Sequence, residues 1–256
     1  MQVQAIQTRK VTAGSCTLHE LLDESISELH ERSVVAITSK VASLCEGRVA
    51  PLEGNDPHAL ARQESDLYLD HVERSRYQIH FTITRNTLIP NAGIDASNAG
   101  GVYVLWPANP QKTANEVRAY LRKKFGLKEL GVIITDSTGR PLRRGFGGIS
   151  LGFSGFEGVR SYMGAHDLFG REFVMETADV MGGLAAAAVL VMGEGNECTP
   201  LAVITDLPFV TFMENDPSAE DIKNLFIDPA DDIFEPFLSA GDWLPGGGEA
   251  TKATQK

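Results

Sequence analysis

Four short stretches of the chain place acids, hydroxyls or bases at the ends of regular elements. In GVIITDSTGRP (131–141) an apolar run reaches Asp136 and Ser137, then turns through Thr138 and Gly139 to Arg140. NAGIDASN (91–98) sets Asp95 between Asn91 and Asn98, just past a strand and a proline. TSKVASLCEGR (38–48) puts Ser39 and Lys40 at a strand end, followed by Glu46 and Arg48. VMGEGNE (191–197) closes an apolar helix with Glu194 and Glu197 in a glycine-rich turn. Loops held by rigid elements are where chemistry is usually placed. Hard cations such as Mg²⁺ or Mn²⁺ take oxygen ligands, so Asp95, Asp136, Ser137 and Glu194 can supply the protein share of a metal site. Lys40, Arg140, Arg143 and Arg144 can neutralise phosphate oxygens. The competing reading is four unrelated turns, because Asp, Asn, Ser and Gly are ordinary turn residues. Spacing alone leaves both open.

Other chemistries lack their signatures. No G-x-x-x-x-G-K-[ST] occurs, and RRGFGGISLG does not have the spacing of a dinucleotide fingerprint. DSTG has one residue too many for an aspartic-protease motif and has no second copy. The six histidines show no H-E-x-x-H or H-x-H spacing, and no G-x-S-x-G appears.

The elements that must hold these loops are legible from periodicity. TLHELLDESISELHE (17–31) carries leucines at helical spacing with Thr17 as N-cap. Residues 57–69, 113–125 and 174–192 also read as helices. VVAITSK (34–40), QIHFTITRNTLIP (78–90), VYVLWP (102–107), GVIITD (131–136), GISLGFSGF (148–156) and LAVITDLPFV (201–210) read as strands. Helices and strands are mixed without a regular βαβ repeat, so the fold class is α+β.

Composition bounds the rest. The 256 residues, 43% hydrophobic, suffice for a sizeable core. Thirty-four acids against 23 basic residues give a net charge of −11, which disfavours nucleic acid. Cys16, Cys45 and Cys198 are odd in number and widely spaced, which fits neither a disulfide framework nor a zinc site and points to a cytoplasmic setting. The start is polar, and the most apolar run (180–193) is too short for a bilayer span, so no membrane association is expected. Basic residues gather at 118–144, where an anionic small molecule could be met, although a solvated helix face accounts for Lys123 and Lys124.

Taken together and in order, ITSKVASLCEGR, NAGIDASN, GVIITDSTGRPLR and LAAAAVLVMGEG followed by a PLAVI strand resemble the gamma-glutamyl ligase family of coenzyme F-420 biosynthesis. The resemblance covers about residues 3–210. It implies a mixed-sheet core and a reaction that joins L-glutamate to a carboxylate of an anionic coenzyme. GTP, with ATP as the alternative, would phosphorylate that carboxylate; the glutamate amine would then displace phosphate. Two divalent cations, Mg²⁺ or Mn²⁺, would be held at Asp95, Asp136, Ser137 and Glu194, and K⁺ would be an added ion. Lys40 and Arg140 would be catalytic. Ser39, Lys40, Asn91, Asn98, Arg140, Arg143 and Gly193 would bind the nucleotide and coenzyme. A homodimer is implied, with the glycine-rich segment 145–155 approaching the partner.

The residues after GRPLR and those before NAGID depart from the family pattern, and together with LWPANPQKTANEVRAYL resemble a bacterial branch associated with folate glutamylation. The expected division is a ligase domain (1–213), an acidic extension (214–243) docked on it through Phe234, Phe237 and Trp243, and a flexible tail (244–256). Two rival readings remain at this level: an inactive or regulatory ligand-binding protein of the same fold, and a ligase using another amine.

Overall fold

The computed structural model of the chain describes residues 1–70 and 76–248. In chain order the first elements are β1 (Gln2–Ile6), α1 (Leu18–Ser25), β2 (Ser33–Thr38), α2 (Ser39–Glu46), β3 (Val49–Pro51), α3 (Pro57–Glu64) and β4 (Leu67–Leu69). They continue with β5 (Phe81–Thr84), β6 (Thr87–Pro90), a 3-10 turn (Asn91–Gly93), β7 (Val102–Val104), α4 (Pro110–Phe125), β8 (Leu130–Gly139) and β9 (Phe146–Ser154). The last are β10 (Val159–Ser161), β11 (Thr177–Asp179), α5 (Val180–Met192), β12 (Leu201–Thr205), α6 (Ala219–Lys223), α7 (Glu235–Leu238) and β13 (Trp243–Pro245). These build two compact units. The first comprises 1–11, 16–42 and 109–225; the second comprises the described residues of 12–15, 43–108 and 226–248.

The first unit is a five-stranded sheet in the order β1-β12-β2-β8-β9. Only β2 and β8 run parallel; the other neighbours are antiparallel. The sheet is mixed and the fold is α+β, as expected. The apolar run of β2 is continuous because both faces are covered. Val34 and Ala36 pack with Leu184, Ala185 and Ala188 of α5 on one face. Val35 and Ile37 pack with Leu21 and Leu22 of α1 and with Val117 and Leu121 of α4 on the other. Thr17 caps α1 through a reciprocal capping box with Glu20, which satisfies two orphan amides at once.

The small-residue helix α5 lies close to the sheet. A Cβ at Gly148 would stand 2.4 Å from the Ala185 carbonyl oxygen and 2.8 Å from Val189 Cβ. At Gly152 it would meet the backbone of Pro110 and Gln111 at 2.7 Å. These glycines of the 145–155 segment therefore serve close approach inside the unit. Gly148→Ala should cost about 1–3 kcal/mol by overpacking. A lowered urea midpoint with an unchanged slope checks this; an unmoved midpoint would mean that α5 can retreat freely.

Arg118, on α4, is 2% exposed. Its Nε donates to the Leu130 carbonyl at 2.9 Å, Nη1 to Asp216 Oδ1 at 2.7 Å, and Nη2 to the carbonyls of Met213 at 2.6 Å and Glu214 at 3.0 Å. The basic segment 118–144 thus begins with a structural arginine that holds the start of the acidic extension. Next comes α6, whose Ser218 and Asp221 form a second capping box. Ile222 and Leu225 pack against the α5 core.

The second unit holds a four-stranded sheet, β13-β4-β5-β6, and the pair β3-β7. The expected helix 57–69 is shorter, ending at Glu64, and its tail becomes strand β4. The single strand expected over 78–90 is a hairpin. Arg85 and Asn86 turn it with φ of 50° and 57°. Asp66 Oδ2 accepts the Arg85 amide at 2.6 Å and helps hold that turn. Phe234 and Phe237, expected to dock, are 59% and 79% exposed. Trp243 pairs with Leu69 in the sheet, and its Nε1 donates to the Leu238 carbonyl. Residues 244–248 of the expected flexible tail are tied down. The amides of Gly246, Gly247 and Gly248 donate to the carbonyls of Asp66, Arg62 and Ser65 at 2.8–3.0 Å. The rest of that tail, 249–256, lies outside the described residues. Among the described residues no helix is long and apolar enough to cross a membrane.

Candidate functional site

The parallel pairing of β2 with β8 decides where the first unit gathers its chemistry. The register runs from Ser33 opposite Leu130 to Thr38 opposite Thr135. Beyond that point β2 passes into α2, and Ser39 and Lys40 form its first turn. The Thr38 hydroxyl accepts the Val41 amide at 3.4 Å and starts the helix. On the neighbouring strand Asp136 and Ser137 follow Thr135 directly. Two parallel strands thus deliver Ser39, Lys40, Asp136 and Ser137 to one carboxyl end, the place where open sheets usually bind ligands.

Strand β8 does not end at Asp136, as the sequence suggested. It runs on past its last β2 partner to Gly139, paired antiparallel with β9 in a ladder that shifts register between Ile134 and Thr135. The Asp136 carboxylate is half-buried, and its Oδ1 accepts the Ser137 amide at 2.9 Å. Successive strand side chains point to opposite faces. Ser137 lies opposite Gly148, which puts it on the α5 face; Asp136 lies opposite Ile149 and takes the other face. On the α5 face the Ser137 hydroxyl donates to Glu194 Oε2 at 3.0 Å. Asp136 and the Ser137–Glu194 pair are therefore separate donors at one strand end.

Glu194 follows the C-terminus of α5. Gly193 ends that helix with φ +84°, and the Thr199 hydroxyl donates to the Met192 carbonyl at 2.6 Å. Arg140, Arg143 and Arg144 lie exposed in the turn between β8 and β9. The Arg140 guanidinium lies over Gly147, where a Cβ would be 3.3 Å from Nη2. Gly147 pairs with Thr138, which shares the Asp136 face of β8. Arg143 donates its amide to the Arg140 carbonyl at 3.2 Å.

The other three sequence candidates lie together in the second unit. Asn91 accepts the His80 amide on Oδ1 at 2.8 Å, and its own amide donates to the His80 carbonyl at 2.8 Å. Asn91 thus supports the loop through its amide oxygen. Asp95 bridges Val104 in both directions through its backbone, at 3.1 and 2.8 Å. Its carboxylate accepts the Ser97 amide at 2.8 Å and the Ser97 hydroxyl at 2.7 Å. Asn98 is exposed with φ +53°. Asn91 and Ala92 also have positive φ, 49° and 53°. Strained backbone of this kind collects at functional loops.

The donors are all hard oxygens. Among the described residues no group of three or more His, Cys, Asp and Glu side chains is placed to hold a metal ion by itself. Oxygen donors of this kind could serve Mg²⁺-type binding, in which one or two carboxylates are completed by waters and substrate phosphates. Local electrostatics point the same way. The last turn of α5 carries no basic residue, and two acids, Glu194 and Glu197, follow it. Acids at a helix C-terminus are disfavoured by its dipole, and a cation would relieve them.

The F420-0:gamma-glutamyl ligase family matches residues 5–206. The chain belongs to this family. Relatives in it include the coenzyme F420:L-glutamate ligase of Methanopyrus kandleri, 36% identical over 78% of this chain and 84% of its own. That of Haloarcula marismortui is 33% identical over 93% and 97%, and that of Archaeoglobus fulgidus 32% over 74% and 81%. The four loops fall within the part of the chain that the gamma-glutamyl ligase family matches. Sequence reasoning did not single out Arg118 or His80 as buried anchors. It read Glu197 only as a turn acid, and no spacing signal marked the role its contacts suggest.

Proposed function

We propose that this chain is a nucleotide- and metal-dependent gamma-glutamyl ligase that adds L-glutamate to a carboxylate of coenzyme F-420-0. The observation that carries it is the Ser137–Glu194 contact beside the shared carboxyl end of β2 and β8, in a chain of the ligase family. A carboxylate is a poor electrophile. Transfer of the GTP γ-phosphoryl group to it would give an acyl phosphate, the glutamate amine would attack that carbonyl, and inorganic phosphate would leave. Asp136, Ser137 and Glu194 would hold divalent ions, as Asp95 would by the family resemblance, and such ions would offset the charge of the triphosphate. Lys40 and Arg140 would neutralise phosphate oxygens as the phosphoryl group moves. The protein would act as a cytoplasmic homodimer. Incubation with GTP or ATP, Mn²⁺, L-glutamate and a panel of deazaflavin and folate acceptors, read by product mass, tests this. Absence of any glutamylated product would overturn it, and a folate product alone would move the acceptor.

The helix-end electrostatics supply a second expected outcome. Glu194→Gln keeps the oxygen that accepts from Ser137 but removes a charge that opposes the α5 dipole. Without metal it should melt no lower than the unchanged protein. The rise in Tm that Mn²⁺ produces should shrink markedly. An undiminished Mn²⁺ shift would take Glu194 out of the metal site.

A further inference from the structure

The loop that carries Glu194 is fastened by another acid. Gly195 donates its amide to Glu197 Oε2 at 2.9 Å. A Cβ at Gly193 would stand 2.5 Å from Glu197 Cδ, and one at Gly195 would be 3.3 Å from its carboxylate oxygens. The Glu197 side chain thus folds back into space that exists because two neighbours lack side chains. Between them lies Glu194, which accepts the Ser137 hydroxyl. Cys198, the next residue, has φ +59° and places its Sγ 3.4 Å from the Thr8 carbonyl, so the loop is anchored on its far side as well.

We infer that Glu197 is a positioning residue: it closes the 193–197 loop through the Gly195 amide and so presents Glu194 beside Ser137. This rests on the reading of Glu194 as a metal-proximal residue. Glu197 could instead act through its charge, and one substitution separates the two roles. Gln keeps an oxygen to accept the Gly195 amide and has nearly the same shape, but has no charge. Ala removes both the acceptor and the bulk. The fold of each variant is checked by circular dichroism.

Mn²⁺ binding is followed by calorimetry without nucleotide, and protection of the Gly195 amide by hydrogen exchange. Glu197→Ala should lose the protection and bind Mn²⁺ ~10–100-fold more weakly, the usual cost of removing a residue that orients a ligand, while Glu197→Gln should stay within about threefold. Gly193→Ala, which drives a methyl group into the Glu197 carboxylate, should behave like Glu197→Ala. If the unchanged protein binds no Mn²⁺, the metal reading fails, and the Gly195 exchange alone decides the role of Glu197. Glu197→Ala with protection intact would overturn the inference. So would a Glu197→Gln variant as impaired as Glu197→Ala, because the charge rather than the hydrogen bond would then matter.

Discussion

Asp136→Asn should lower nucleotide-dependent ligation by ~10²–10³-fold, the scale of losing one preorganised electrostatic contact at a reacting centre. The residue stands just beyond the last β2–β8 pair, on the strand face shared with Thr138 and Gly147, over which Arg140 lies. Its Oδ1 accepts the Ser137 amide at 2.9 Å. Asn can make that same bond, so the strand end should keep its shape while one negative charge is lost. The expected result is a folded protein with an unchanged circular dichroism spectrum and a steeply reduced single-turnover rate at saturating Mn²⁺. Near-normal turnover would remove Asp136 from the metal site and leave it as a residue that shapes the strand end.

The largest effect on stability is expected away from the site. Arg118→Met should retain much of the packing of α4 but strand four acceptors: Asp216 and the carbonyls of Leu130, Met213 and Glu214. Breaking a buried charge pair by removing one partner costs about 3–5 kcal/mol. Asp216 is 44% exposed and also accepts the Ser154 hydroxyl, so water and Ser154 share its charge and the lower end applies. A loss of about 3 kcal/mol corresponds to a fall in Tm of roughly 6–12 °C for a domain of this size. A fall below about 2 °C would show that the start of the acidic extension is held by the apolar contacts of Ile222 and Leu225 instead.

Much of the first unit was legible because its signals are local. The leucines of α1 and the Thr17 cap announce that helix, and the unbroken VVAI of β2 announces a strand covered on both faces. What stayed hidden depends on partners distant in sequence. Asp136 looks like a strand end in GVIITDSTG because Asp, Ser and Gly favour turns. Only the pairing with β9 carries the strand onward. The hairpin at 85–86 lacks the usual glycine; Asp66, 19 residues away, accepts the Arg85 amide that the turn presents. The aromatic residues of 232–238 suggested burial by composition, yet Phe234 and Phe237 stay exposed while Ile222 and Leu225 do the packing. At the site, residue types alone picked out Glu194. The Ser137 hydrogen bond that supports it joins residues 57 apart in sequence.

The strand order β1-β12-β2-β8-β9 also governs how the first unit forms. β12 lies between β1 and β2, pairing Val203 with Gln4 on one side and with Val35 on the other. On a ribosome, β1, β2, β8 and β9 all emerge before β12 exists. Until then the edge of β2 is an unpaired row, apolar from Val34 to Ile37, the kind of template on which chains aggregate. Closing it requires contacts spanning most of the sequence, and such non-local pairing is slow. Refolding should therefore be limited by insertion of β12 and should suffer at high protein concentration. A permutant that joins the present termini and opens the chain before Leu201 would make β12 first. It should refold faster and with less loss to aggregates.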